Sequence, residues 1–219
     1  LILKDGKVVV SDNATGTIVM LEAPRILKKA YPNPKRTILV GHWSGEEQGL
    51  IGSRSFSADH PEVVRGLQAL FNQDNGTGRV VRVSASGLVD ATGNLASCLA
   101  RVPREISRHI EFGFVGAPGG GGSDHASFVC YGAPAFSLGS ISWDYGTYTW
   151  HTNRDTFDKV VFPELKNNAV LTAMLVYLAS EDPETVSRTR ANVVNPFTQR
   201  EARWPECQVP PRKSADWNR

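Results

Sequence analysis

Thr37-Ile38-Leu39-Val40-Gly41-His42-Trp43-Ser44-Gly45-Glu46-Glu47 joins an apolar run to two adjacent carboxylates. Thr37 to Val40 read as a buried strand, the core of a strand predicted over residues 36–43. In an α/β protein such a strand delivers its C-terminal end to the ligand-binding edge of the sheet. Two like charges side by side at that edge are costly unless a cation is near or one carboxyl stays protonated. A metal ion meets both conditions, with one Glu ligating it and the other working on its bound water. Taken alone, the pair fits an exposed acidic turn opening a helix better than a metal site.

The flanking sequence supplies the alternation of an α/β domain. Residues 1–10 read as a hairpin around Asp5-Gly6, and Asp12-Asn13-Ala14-Thr15-Gly16 as a loop that caps a helix. Ile18, Val19, Leu21, Ile26 and Leu27 then fall at helical spacing, with Pro24 expected to bend the helix. After the 36–43 strand a helix starts at Gly49–Ala58, and Asp59-His60-Pro61 breaks it. Strands are predicted over 66–73, 80–83 and 135–138, and helices over 95–111, from Ser123-Asp124-His125 to Tyr131, and over 163–180. The last presents Leu165, Ala169, Ala173, Val176 and Tyr177 to the core. A glycine run, Gly119 to Gly122, and a polar aromatic loop, Trp143 to Trp150, border these elements. The pattern predicts a largely parallel sheet covered on both faces, in a domain over 1–182 with an irregular tail at 183–219 anchored by Trp204 and Trp217.

Composition narrows the function classes. Hydrophobic residues at 41% and charged residues at 21% are those of an ordinary globular chain. A net charge of +2 gives no reason to expect nucleic acid or an anionic membrane as partner. The basic run in 187–203 lacks the interleaved aromatics of a nucleic-acid groove. No apolar run approaches the roughly eighteen residues of a membrane span. Leu1 to Lys7 lack the order of a signal peptide, and the start without Met is expected from processing or cropping. Cys98, Cys130 and Cys207 form no CxxC pair, and their odd count leaves room for one disulfide plus a thiol.

Asp12, Glu46, Glu47, Asp74 and His151 all end predicted strands or sit in adjoining loops. Carboxylate oxygens with one imidazole suit zinc, and also manganese or cobalt. Their arrangement resembles the co-catalytic zinc aminopeptidases, the leucine aminopeptidase-like exopeptidases that include glutamate carboxypeptidase-type and glutaminyl cyclase-type relatives. Asp12-Asn13-Ala14-Thr15-Gly16 looks like that family's Asp-Asn-Ala-Ser-Gly loop, whose Asp bridges two metals. Gly45-Glu46-Glu47-Gln48-Gly49-Leu50-Ile51-Gly52-Ser53 is similar to its Gly-Glu-Glu-x-Gly-Leu-x-Gly-Ser segment, where the first Glu is the general base and the second a ligand. Asp74 stands at the next carboxylate ligand. Ser123-Asp124-His125 and Trp150-His151-Thr152 with Asp155-Thr156 match the last two segments, the second of which holds the final ligand.

The resemblance implies a three-layer sandwich with a central mostly parallel, mixed sheet flanked by helices. It implies a metal-dependent exopeptidase, most simply an aminopeptidase, acting on peptides with zinc. Glu46 is then the catalytic base, and Asp12, Glu47, Asp74 and His151 the metal ligands. Ser123, Asp124, Asp155 and Tyr145 are candidates for supporting the ligands or the substrate, and His125 reads as structural. A secreted or periplasmic location is implied by resemblance only.

The sequence also departs from the family. The upstream His-x-Asp segment is not present before Asp12, so the first strands of the sheet are expected to be missing, and the exposed sheet edges to invite homo-oligomers. Without that His, Asp12, Glu47 and His151 would hold one ion with a position open for water, and His42 is a poor substitute within its strand. One ion or two therefore stays open. Where some relatives place a Tyr three residues before Ser123 this chain has Gly120, and Tyr145 or Tyr148 is the available replacement. Two alternatives accompany the peptidase reading: a mononuclear-zinc, glutaminyl-cyclase-like acyltransferase, and a non-catalytic peptidase-like binding module.

Overall fold

The computed structural model describes residues 12–113, 118, 122–191, 194, 199–201 and 203–210. The expected hairpin at 1–10, Gly119 to Gly121 and Trp217 lie outside these residues. Helix α1 (Ala14–Ala30) begins at Asn13, whose side chain accepts from Gly16 N–H, and ends with Lys28 and Lys29 in its last turn, the favourable sign for a helix C-terminus. Pro24 lies within α1 without interrupting it. Val19, Ala23 and Leu27 form its buried stripe, whereas Ile18 and Leu21 are exposed. Helices α2 (Ile51–Asp59) and α3 (Pro61–Gly66) meet at the expected His60-Pro61 break.

Strands β1 (Leu70–Asn72), β2 (Val80–Ser84), β3 (Glu111–Gly113) and β4 (Ala135–Ser140) form one sheet in the order β1-β4-β2-β3. β1 runs parallel to β4 and β2 to β3, while β2 and β4 pair antiparallel, so the sheet is mixed. The remaining α-helices among the described residues are α4 (Val89–Ala100), α5 (Arg104–Ser107), α6 (Ala126–Val129) and α7 (Phe162–Glu181), with a π-helical turn at Tyr145–Thr149 and a 3-10 turn at Phe157–Lys159.

Successive residues of β4 show how the layers form. Phe136 and Leu138 enter a core with Leu95 of α4 and Leu171, Leu175 and Leu178 of α7. Ala135 points to the opposite face, into a second core with Val64 of α3 and Phe128 and Val129 of α6. That alternation is the period of a strand covered on both sides. α1 lies outside α7, where Val19 meets Leu165 and Ala169, and Ala23 and Leu27 meet Ala173. The result is an α/β domain with a mixed sheet between helical layers.

The strand predicted over 36–43 does not form. Residues 37–43 carry no regular structure, and Leu39 and Val40 are 61% and 44% exposed. A strand needs a neighbour to take its backbone hydrogen bonds. Here a cavity of about 1380 Å³ separates residues 36–48 from Gly66–Asp74, the stretch containing β1. Side-chain contacts tie the segment down instead: Trp43 packs on Phe56 at 4.8 Å, Ile38 packs against Ala23, Leu27 and Ala173, and Arg36 N–H donates to Ser180 Oγ at 3.1 Å. The helix predicted over 95–111 is likewise divided: α4 ends at Ala100, Pro103 caps α5, and Glu111 begins β3. Cys130 and Cys207 form a disulfide, and Cys98 is a buried free thiol.

Candidate metal centre

The turn that carries the glutamate pair is set by backbone contacts that its glycines permit. Glu46 C=O accepts from Gly49 N–H at 2.9 Å and Leu50 N–H at 2.8 Å, and Gly49 sits at φ +103°, a conformation only glycine adopts readily. α2 then starts close against Ser44, whose carbonyl accepts from Gly52 N–H at 2.9 Å. A Cβ on Gly52 would stand 2.7 Å from that same oxygen, so the position excludes a side chain. Glu46 and Glu47 thereby line the cavity.

Asp12 lines the same cavity. Its N–H donates to Asp155 Oδ2 at 2.8 Å, and Asp155 is fully buried. Its neighbour Asn13 donates from Nδ2 to Gln73 O at 3.0 Å, tying the loop to the end of β1. The loop that holds Asp155 also supplies His151, whose Nε2 lies 3.5 Å from Asp12 Oδ2 and 3.1 Å from Glu47 Oε2. Ligand atoms of Asp12, Glu47 and His151 all lie within 4.8 Å of one another. Trp150 stacks on the His151 ring with centroids 4.4 Å apart.

Asp74 follows β1 and faces the same cluster. Ser123 Oγ donates to Asp74 Oδ2 at 2.7 Å and accepts from Asn72 Nδ2 at 2.8 Å. Burial, and then the charges of Asp12, Asp124 and Glu47, push the Asp74 carboxyl up to about 6 against the lowering by Ser123. Burial, then Asp74, Asp124, Glu47 and Asp12, push Glu46 up to about 7. Asp124 is raised by burial, with Ser53 opposing. The Tyr145 phenol is raised by burial first, then by the hydrogen bond and charge of Asp12 beside it. The acidic side chains are crowded together and desolvated, an arrangement that a divalent cation would relieve.

Of the residues singled out from sequence, Asp12, Glu47 and His151 converge as one ligand group. Glu46, Asp74 and Asp124 adjoin it, Ser123 holds Asp74, Asp155 holds the main chain of Asp12, and Tyr145 flanks Asp12. His125 is apart in character: it is 8% exposed, burial pushes it down to about 4, and its Nδ1 has no partner among the described residues. His42 is exposed. Asn72 escaped the sequence reading, although its place two residues before Asp74 puts it on the same side of the extended chain. Two carboxylates and an imidazole with room for water suit zinc.

Residues 5–176 match the profile described as Peptidase family M28. Leucine aminopeptidase 1 of Coccidioides posadasii strain C735 is 28% identical over 176 residues, covering 76% of this chain and 45% of its own. The chain thus spans about half the length of the curated relatives it matches. Among solved structures, a peptidase M28 precursor from Shewanella amazonensis SB2B superposes with a TM-score of 0.72 at 22% identity, over 81% of this chain and 39% of that one. BSAP, a zinc aminopeptidase from Bacillus subtilis, gives 0.57 at 24% identity, over 82% and 44%. Both structural likenesses are those of the fold.

Proposed function

Because this chain belongs to peptidase family M28, we propose that it carries the catalytic centre of a metal-dependent exopeptidase, an aminopeptidase that removes N-terminal residues from peptides. The observation that carries the reading is the convergence of Asp12, Glu47 and His151 within 4.8 Å, with Glu46 adjoining. These three residues would hold a zinc ion, and Asp74 adjoins them for a second. When bound, the ion supplies Lewis acidity and lowers the pKa of water from about 16 toward 7.

The chain's own groups do the remaining work. Glu46 takes the proton from the attacking water and returns it to the departing amine, acting first as general base and then as general acid. Ser123 orients Asp74, and Asp155 fixes the main chain of Asp12. The carboxylates not neutralised by metal attract the α-ammonium of a peptide, which favours an amino-terminal over a carboxy-terminal substrate end. The Cys130–Cys207 disulfide supports a secreted or periplasmic location. No helix among the described residues is long and apolar enough to cross a membrane.

Hydrolysis of aminoacyl-nitroanilides by the zinc-loaded protein tests the reading. Glu46→Gln is expected to lower kcat about 10²–10⁴-fold while zinc binding persists. Full activity in that variant would remove Glu46 as the base. The convergent group is a set for one ion, which keeps a glutaminyl-cyclase-like acyl transfer as the second reading. Cyclisation of N-terminal Gln peptides without hydrolysis of the nitroanilides would favour it.

A further inference from the structure

The segment that follows α7 returns across the molecule and is stapled to it. Val89 N–H donates to Thr189 O and Ala191 N–H to Gly87 O, both at 2.9 Å, which seats this stretch beside the start of α4. The Arg190 guanidinium stands 4.4 Å over the Trp204 indole. Trp204 packs against both core clusters, and its Nε1–H donates to Cys130 O at 3.1 Å. Cys207 then closes the disulfide with Cys130, the residue that caps α6.

α6 is only four residues long. A helix that short has little stability of its own, so its place is decided by what grips it. On its N-terminal side Ser123 donates to Asp74, and the Asp124 charge bears on Glu46. On its flank Ser127 Oγ pairs at 2.8 Å with Ser53 Oγ of α2, whose entry turn carries Glu46 and Glu47. Its C-terminal side has the strap and the disulfide. One small element therefore joins the staple to three parts of the carboxylate cluster.

We propose that the Cys130–Cys207 disulfide makes the metal centre redox-sensitive: its reduction frees residues 203–210 from α6, loosens Ser123 and Asp124 against the cluster, and lowers the affinity for a divalent cation. The inference rests on reading the cluster as a metal centre. The reductant is a dithiol. Its two sulfurs become its own disulfide, the Cys130–Cys207 bond breaks, and two electrons and two protons pass to the cysteine sulfurs. By linkage, a bound cation resists the reduction by the same factor.

The test titrates zinc into the oxidised full chain and into C130A/C207A, each competing with a chromophoric chelator. Losing the groups that support metal ligands costs about 10–100-fold in affinity, so the dissociation constant is expected to rise about tenfold in the double variant with stoichiometry unchanged. Arg190→Ala removes the cation over Trp204, keeps the staple, and is expected to leave the affinity unchanged. If the double variant does not fold, wild-type protein briefly reduced with dithiothreitol, alkylated and desalted carries the same comparison. Equal affinity in the oxidised and opened forms overturns the proposal, and so does an equal loss in Arg190→Ala, the mark of general destabilisation. Oxidised wild-type protein that takes no zinc overturns the metal reading itself.

Discussion

Asn168 allows a sharp test of how the sheet is held to α7, and through it of how the Asp74 loop is held. The side chain is fully buried. Its Oδ1 accepts from Val80 N–H at 2.8 Å, and its Nδ2 donates to Gly78 O at 2.9 Å. One amide thus satisfies both backbone groups where the loop after Asp74 becomes β2. Asn168→Leu leaves both unpaired in a fully buried site, at about 1–3 kcal/mol each. The added apolar burial offsets about 1–2 kcal/mol. The net loss is about 1–4 kcal/mol, or about 2–16 °C in the unfolding midpoint for a domain of this size. Asn168→Asp distinguishes hydrogen bonding from simple packing. Its ionised carboxyl still accepts from Val80 but turns an oxygen toward Gly78 O, so the folded state raises its pKa. The stability it retains is therefore complete below the unfolded carboxyl value near 4 and is lost as pH rises through the raised folded value. Urea denaturation of both variants across pH measures this. A loss under about 1 kcal/mol in Asn168→Leu, or a pH-independent loss in Asn168→Asp, would refute the reasoning.

Two further outcomes are expected. Glu46 and Asp74 are held up to about 7 and about 6, so the metal-free fold favours their protonated forms. Its stability should fall as pH rises from their unfolded values near 4 through 7, and zinc should reverse the fall at neutral pH; a metal-free midpoint that climbs across this window contradicts the assigned crowding. Phe128, 2% exposed and packed against Trp43 and Phe56, should lose about 3–5 kcal/mol on truncation to Ala, read from chemical denaturation.

Much of the candidate site was legible because its residues are tied to local backbone forms. The Gly-Glu-Glu-x-Gly-Leu-x-Gly order states a turn that needs a left-handed glycine and a helix start that excludes a Cβ at Gly52. Asp12 and His151 lie beside equally recognisable loops. Asn72 was not legible, since an Asn at a strand end has many uses and only the fold sets Ser123 between it and Asp74. The pairing of Cys130 with Cys207, leaving Cys98 in the core, likewise follows from where the tail crosses α6 and not from spacing.

The stretch from Thr37 to Glu47 divides the two contributions. Its sequence determined the order of chemistry, an apolar approach delivering two carboxylates with separate proposed tasks, because turn and helix-start preferences act within a few residues. It did not determine that Thr37 to Val40 form a strand. Strand formation needs hydrogen-bond partners contributed from elsewhere in the chain, and the cavity between this segment and β1 supplies none among the described residues. Tertiary structure also decided which carboxylates share an imidazole. His151 meets Asp12 and Glu47 because Asp155, four residues further along its own loop, grips the Asp12 main chain, a juxtaposition that only the closed fold creates.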